Sequence, residues 1–114
     1  MDQSTNPNLN RRLLLDNELR EVLQEALGYV HLYYQPPESV KMKYDCIRYE
    51  EASFNVRYAD TRSHVLHTEY QVIVITRDPD SPIPRMIQER FSMCRSGRKY
   101  AADNLYHFPF TIYY

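Results

Sequence analysis

The stretch "YQVIVITRDPDSPIPRM", residues 70–86, decides how the chain is read. Its first half puts Tyr70, Val72 and Val74 on one face of a strand and Ile73 and Ile75 on the other. A strand apolar on both faces belongs inside a sheet, covered on each side. Its second half places two carboxylates, Asp78 and Asp80, directly after that strand. Strand ends are a usual place for ligand-binding and catalytic groups. The prolines argue for a corner instead. Asp-Pro and Ser-Pro start turns, and Pro82 and Pro84 are tolerated only in a helix's first turn. Asp80 or Ser81 is then the N-cap, accepting a hydrogen bond from a backbone N–H near Ile83 or Arg85. Ile83, Met86, Ile87 and Arg90 mark one face of the short helix that follows. A hard-cation site needs several oxygen ligands. The other loop aspartates, Asp60 and Asp103, have no spacing that brings them in.

Outward from this centre the elements fall into order. Residues 1–10 are polar and read as a flexible arm. Over 11–27, "RRLLLDNELREVLQEAL", the residues Leu15, Leu19, Val22, Leu23 and Ala26 share one helical face. Gly28 supplies the C-terminal stop. "YVHLYYQ", 29–35, predicts a short strand, broken by "PPES" at 36–39. "MKYDCIRYEEASFNVRY", 42–58, holds two strand-like pieces, either a hairpin or one bent strand. A polar turn, 59–64, leads into the central strand, 65–76. "LYHFPFTIYY", 105–114, alternates with Tyr106, Phe108, Phe110, Ile112 and Tyr114 on one face. Pro109 has no N–H, so this strand is an edge or turns position 109 to an unpaired side. The order predicts a single α+β domain over 11–114, with an N-terminal amphipathic helix and a second short helix packed on a small antiparallel sheet.

Composition narrows the chemistry. The 114 residues carry a net charge of −1, with 11 Tyr, no Trp, 7 Pro and only 2 Gly. So few glycines leave no phosphate-cradling loop. The near-neutral balance lacks the basic excess of a nucleic-acid binder, and "RSGRK", 95–99, reads as a solvated turn. Cys46 and Cys94 make no metal-ligand spacing and are expected to be reduced thiols. His64 and His67 stand three apart with no third ligand in register, and no serine sits in a nucleophile elbow. The expectation is therefore no enzyme, no cofactor and no metal site. "MDQSTNPNLNRR" has no apolar leader core, and no apolar run is long enough to span a bilayer.

The tyrosines point elsewhere. They lie on both faces of the proposed strands, and tyrosine is favoured at interfaces. "TIYY" ends inside a strand, and a bare apolar edge must be covered by another strand or by a neighbouring subunit. The turn "RYADTRSHVLH", 57–67, offers charged groups able to set register between copies.

The segment from Gly28 to Tyr114 resembles the small tail completion proteins of tailed bacteriophages, also described as neck or head–tail joining proteins and related in fold to tail terminators. "YAD" at 58–60, "YQVIVITRDPDS" at 70–81 and "ADNLYHFPF" at 102–110 carry the resemblance. It implies a non-enzymatic virion protein, made in the host bacterial cytoplasm. Such a protein forms a ring, usually sixfold, at the head-proximal end of the tail tube. Its partners are copies of itself and the adjoining connector and tube proteins. DNA passes its lumen without sequence-specific binding, and a lumen with few cations would let it slide. From placement alone, Arg57, Tyr58, Arg62, His64, Arg77, Tyr113 and Tyr114 are the interface candidates. The alternatives are an intracellular adaptor binding one partner through a sheet edge, and a metal-dependent hydrolase using Asp78 and Asp80.

Overall fold

Apolar residues at helical spacing build the first element, and proline fixes where it starts. The computed structural model describes residues 7–53 and 67–114. Helix α1 spans Pro7–Leu27, so it takes in the last four residues of the expected arm. A proline at the first helical position loses nothing, because that N–H has no intrahelical partner anyway. Gly28, at φ 83°, ends the helix, and its N–H donates to the Gln24 carbonyl at 2.9 Å. Leu15, Leu19, Val22 and Leu23 are fully buried, as their spacing requires.

The strands are β1 (Leu32–Tyr34), β2 (Cys46–Ser53), β3 (Glu69–Thr76), β4 (Cys94–Ser96), β5 (Tyr100–Ala102) and β6 (Leu105–Tyr113), with helix α2 (Ile83–Arg90) between β3 and β4. They form one six-stranded sheet in the order β1-β2-β3-β6-β4, with β5 also on β6. Only β1 and β2 run parallel; the other pairs are antiparallel. The α+β architecture is the expected one. β3 lies between β2 and β6, the central place its two apolar faces demand. The second strand-like piece expected before it, near 54–58, lies outside the described residues, as does Leu66.

Register sorts the side chains. Tyr49 stands opposite Val72, Ile47 opposite Val74, and Phe110 opposite Val72 from the other side. These residues share the inner face, with Tyr70 and Ile112, and both helices cover it. From α2, Ile83 and Ile87 are buried. Each such side chain contributes about 1.5–3 kcal/mol by leaving water.

Of the two placements expected for the C-terminal strand the edge is not taken: β6 has β3 on one side and β4 and β5 on the other. Nor is 95–99 only a solvated turn. Its flanks are strands, missed because short edge strands with exposed residues carry no periodicity. Pro109 still meets its constraint. Its carbonyl accepts from the Gly97 N–H at 2.8 Å, so its nitrogen faces the break between β4 and β5. Residues 97–99 there oppose only 108 and 109, an extra residue that makes a β-bulge. A Cβ on Gly97 would sit 3.3 Å from the Pro109 ring. β5 and β6 join through Asp103 and Asn104, at φ 55° and 64°. Two consecutive positive φ values are the mark of a type I′ hairpin turn.

Two substitutions test this account by urea denaturation. Leu19→Ala is expected to cost about 2–5 kcal/mol, the range for an emptied core site. Asn104→Val is expected to cost about 1–2 kcal/mol, because a β-branched residue resists the left-handed region, while Asn104→Gly does not destabilise.

Candidate functional site

The corner after β3 is built by its own polar groups. The Asp80 N–H donates to Asp78 Oδ1 at 2.8 Å, and the Asp78 N–H to Thr76 Oγ1 at 3.0 Å. The Ser81 N–H reaches the Asp78 carbonyl at 3.1 Å, closing a turn. The Ile83 N–H donates to Ser81 Oγ at 3.2 Å, so of the two expected capping residues Ser81 makes the bond. Pro82 occupies the backbone cap position. Asp45, itself nearly buried, ties the same corner to β2. It accepts from Thr76 Oγ1 at 2.7 Å and from the Arg77 N–H at 3.0 Å. Among the described residues, no three of His, Cys, Asp and Glu come together. Burial raises both thiols, Cys46 to about 12, so thiolate is scarce at neutral pH.

Two concave surfaces adjoin α2. Along the helix from Pro84 to Glu89 is a groove of about 470 Å³ between it and the bulged edge of the sheet. Phe108, Pro109 and Phe110 of β6 make its floor, Pro84 and Arg85 one wall, and Gly97 and Lys99 the other. Lys99 Nζ stands 5.8 Å from the centre of the Phe108 ring, within cation–π reach. On the opposite face of the sheet the Tyr100 and His107 rings stack, 4.7 Å apart.

Past the end of α2 is a second hollow of about 460 Å³, where Leu14, Met93, Tyr113 and Tyr114 meet. Large apolar side chains stand open around it and along α1: Leu9 at 44%, Leu13 at 46%, Leu14 at 56% and Met93 at 42% exposure. Its back wall is a polar fastener. Arg90 Nε donates to Glu18 Oε1 at 3.1 Å, and its second nitrogen to Glu21. The Tyr114 hydroxyl donates to the other oxygen of Glu18. A matching fastener joins α1 to β2: the Tyr49 hydroxyl donates to Asp16 Oδ2 at 2.5 Å and accepts from Arg12 at 3.2 Å. Arg12 also lies over the Tyr34 ring at 4.1 Å.

Of the expected interface residues, Arg57, Tyr58, Arg62 and His64 lie outside the described residues. The other three are not brought together. Tyr113 pairs with Glu69 at the start of β3, whereas Arg77 follows its end, about 25 Å away along an eight-residue strand. Arg77 is the most open, with 67% of its side chain exposed. Tyr113 and Tyr114 take part in the ladder rather than in a bare edge: the Tyr113 N–H donates to the Met93 carbonyl, and Tyr114 and Thr68 exchange N–H···O bonds. The groove residues Arg85, Lys99 and Phe108 were not expected. The dipeptide Asp103-Asn104 between two β-forming runs was the available signal, since it predicts a hairpin and hence an edge beside Phe108. Scans against family models, curated proteins and solved structures gave no match.

The fasteners have an alkaline signature. Burial, and then the hydrogen bond to Glu18, push the Tyr114 hydroxyl from 10.0 up to about 12, against the lowering effect of Arg90. Burial and Asp16 push Tyr49 the same way. The folded state holds these protons longer than the unfolded state. Their contribution is whole below the ordinary tyrosine value and is lost as pH rises through the folded one. Stability measured by denaturant is therefore expected to fall from about pH 10 to about pH 12, and Tyr114→Phe should flatten that fall.

Proposed function

We propose that the chain works by assembly, as a ring-forming structural subunit of a phage neck at the head-proximal end of the tail. In that place it joins the tail tube to the connector and lets DNA pass. The observation that carries an assembly role is the open apolar surface around Leu9, Leu13, Leu14 and Met93. An isolated exposed leucine is ordinary, but a group of them beside a concave surface marks a contact site. A ring needs a heterologous contact, in which the α1 leucines and the second hollow of one copy meet a different surface of the next. Heterologous contacts close into rings when the rotation between copies permits. The resemblance to tail completion proteins adds the place in the virion and the sixfold expectation. The α+β fold is the kind that this resemblance implies.

The adaptor reading keeps one observation in its favour. All three residues of β5 are exposed and β5 pairs only with β6, so side chains at this end of the sheet are open to a single partner.

Light scattering and native mass spectrometry across a concentration series distinguish the two. The expected result is a discrete species several times the 13.7 kDa mass of the chain, alone or on addition of purified tail tubes. Leu13→Glu with Leu14→Glu should abolish it while the fold persists. A chain that stays monomeric and ignores tubes and connectors sinks the ring and leaves the adaptor.

A further inference from the structure

The groove between α2 and the bulged edge carries cations that no described carboxylate neutralises. Arg85 and Lys99 stand on its two walls, and Arg98 lies in the bulge beside Lys99. None of the three makes an ion pair with a described carboxylate. Glu89 is the one acidic residue on the walls. Cations over a floor of Phe108, Pro109 and Phe110 call for an occupant that is apolar where it enters and acidic around the entry.

The edge itself limits how that occupant binds. A partner strand adding to β4 and β5 would meet the bulge at 97–99 and the positive charges of Arg95, Arg98 and Lys99. Bulges and edge cations are the devices by which sheets refuse strand addition. Docking then falls to side chains entering the groove, the mode of an amphipathic helix. Nucleic acid is the poorer fit: the site is concave and apolar-floored, and the whole chain has a net charge of −1. A second copy is also the poorer fit, because the open leucines of α1, Leu9, Leu13 and Leu14, flank Arg11 and Arg12, charges of the same sign as Arg85 and Lys99.

We propose that this groove binds an acidic amphipathic segment of a partner protein, its apolar face seated on Phe108 and Phe110 and its carboxylates on Arg85 and Lys99. The inference stands apart from ring formation, which rests on the leucines of α1 and the second hollow.

The test is selection of peptides from a randomised display library on the full-length chain, followed by binding of a selected, synthesised, fluorophore-labelled peptide. Enrichment of Leu or Phe pairs three or four positions apart, bracketed by Asp and Glu, is expected. Binding should shift the amide resonances of Ser96, Gly97 and Lys99 and weaken as salt is raised. Arg85→Glu with Lys99→Glu should weaken it about tenfold or more, and Lys99→Gln less, with Lys99→Arg close to the parent. Selected peptides without an acidic bias, or an affinity that ignores the charge reversal, overturn the proposal. So does an oligothymidylate that shifts the same amides when no peptide does, since that would make the groove a nucleic-acid surface. Loss of peptide binding by the groove variants with the oligomer intact, or the reverse for the α1 variants, separates this inference from the ring.

Discussion

Everything in this fold depends on covering both sides of β3. Tyr70, Val72 and Val74 are buried under the helices, and Ile75 is nearly buried on the reverse face. A strand with such a pattern cannot sit at an edge without exposing a row of apolar groups and unpaired amides. β2 and β6 satisfy it from the two sides, and α1 and α2 satisfy it from above. The surface ion pairs are secondary. Arg90 with Glu18 and Glu21 is a third exposed, and pairs of that kind contribute about 0–1 kcal/mol each. Their role is to fix where α2 and the end of the chain lie against α1, once burial has made the contact.

What the amino acids disclosed, and what they hid, follows from the same physics. The face of α1, the two-sided strand and the proline corner were legible, because each rests on periodicity or on a local backbone rule. Leu15, Leu19, Val22 and Leu23 had one consistent reading, while the corner left the bond to Asp80 or Ser81 and only Ser81 makes it. β4 and β5 were not legible. Three-residue strands at an exposed edge have too few buried positions to show a period, and "RSGRK" looks like any charged turn. Without β4 and β5 two placements stayed open for β6, an edge or an interior strand with position 109 on an unpaired side, and the second is the one found. The groove was hidden for a related reason. It is made where α2 meets the bulged edge and β6, residues far apart in the chain, and that meeting is a property of three-dimensional layers, not of neighbouring residues.

The tyrosines illustrate how one residue type divides between roles. Tyr49 and Tyr70 are core residues, and Tyr49 spends its hydroxyl on Asp16. Tyr114 closes the base of the second hollow through Glu18, and Tyr100 stacks on His107 on the opposite face of the sheet. An aromatic count alone overstates the surface available for contacts, because a phenol satisfies burial and hydrogen bonding at once. Beside the second hollow the open apolar groups are Leu14 and Met93, while Tyr29, Tyr100 and Tyr106 stand open elsewhere.

The interior place of β6 also governs the order in which the chain can fold during synthesis. β3 pairs over eight positions with a strand that begins about thirty residues later. Until residues 105–113 have left the ribosome, the flank of β3 that ends up against β6 has no partner within the chain. A nascent chain stalled before that point presents Val72 and Val74 beside free backbone groups, the combination that chaperones bind and that seeds aggregation. The helices and β2 can gather early, but the sheet locks only when its next-to-middle strand arrives last. Yield in a cell should accordingly depend on the pace of translation through and beyond residues 105–113 as much as on the stability of the finished fold.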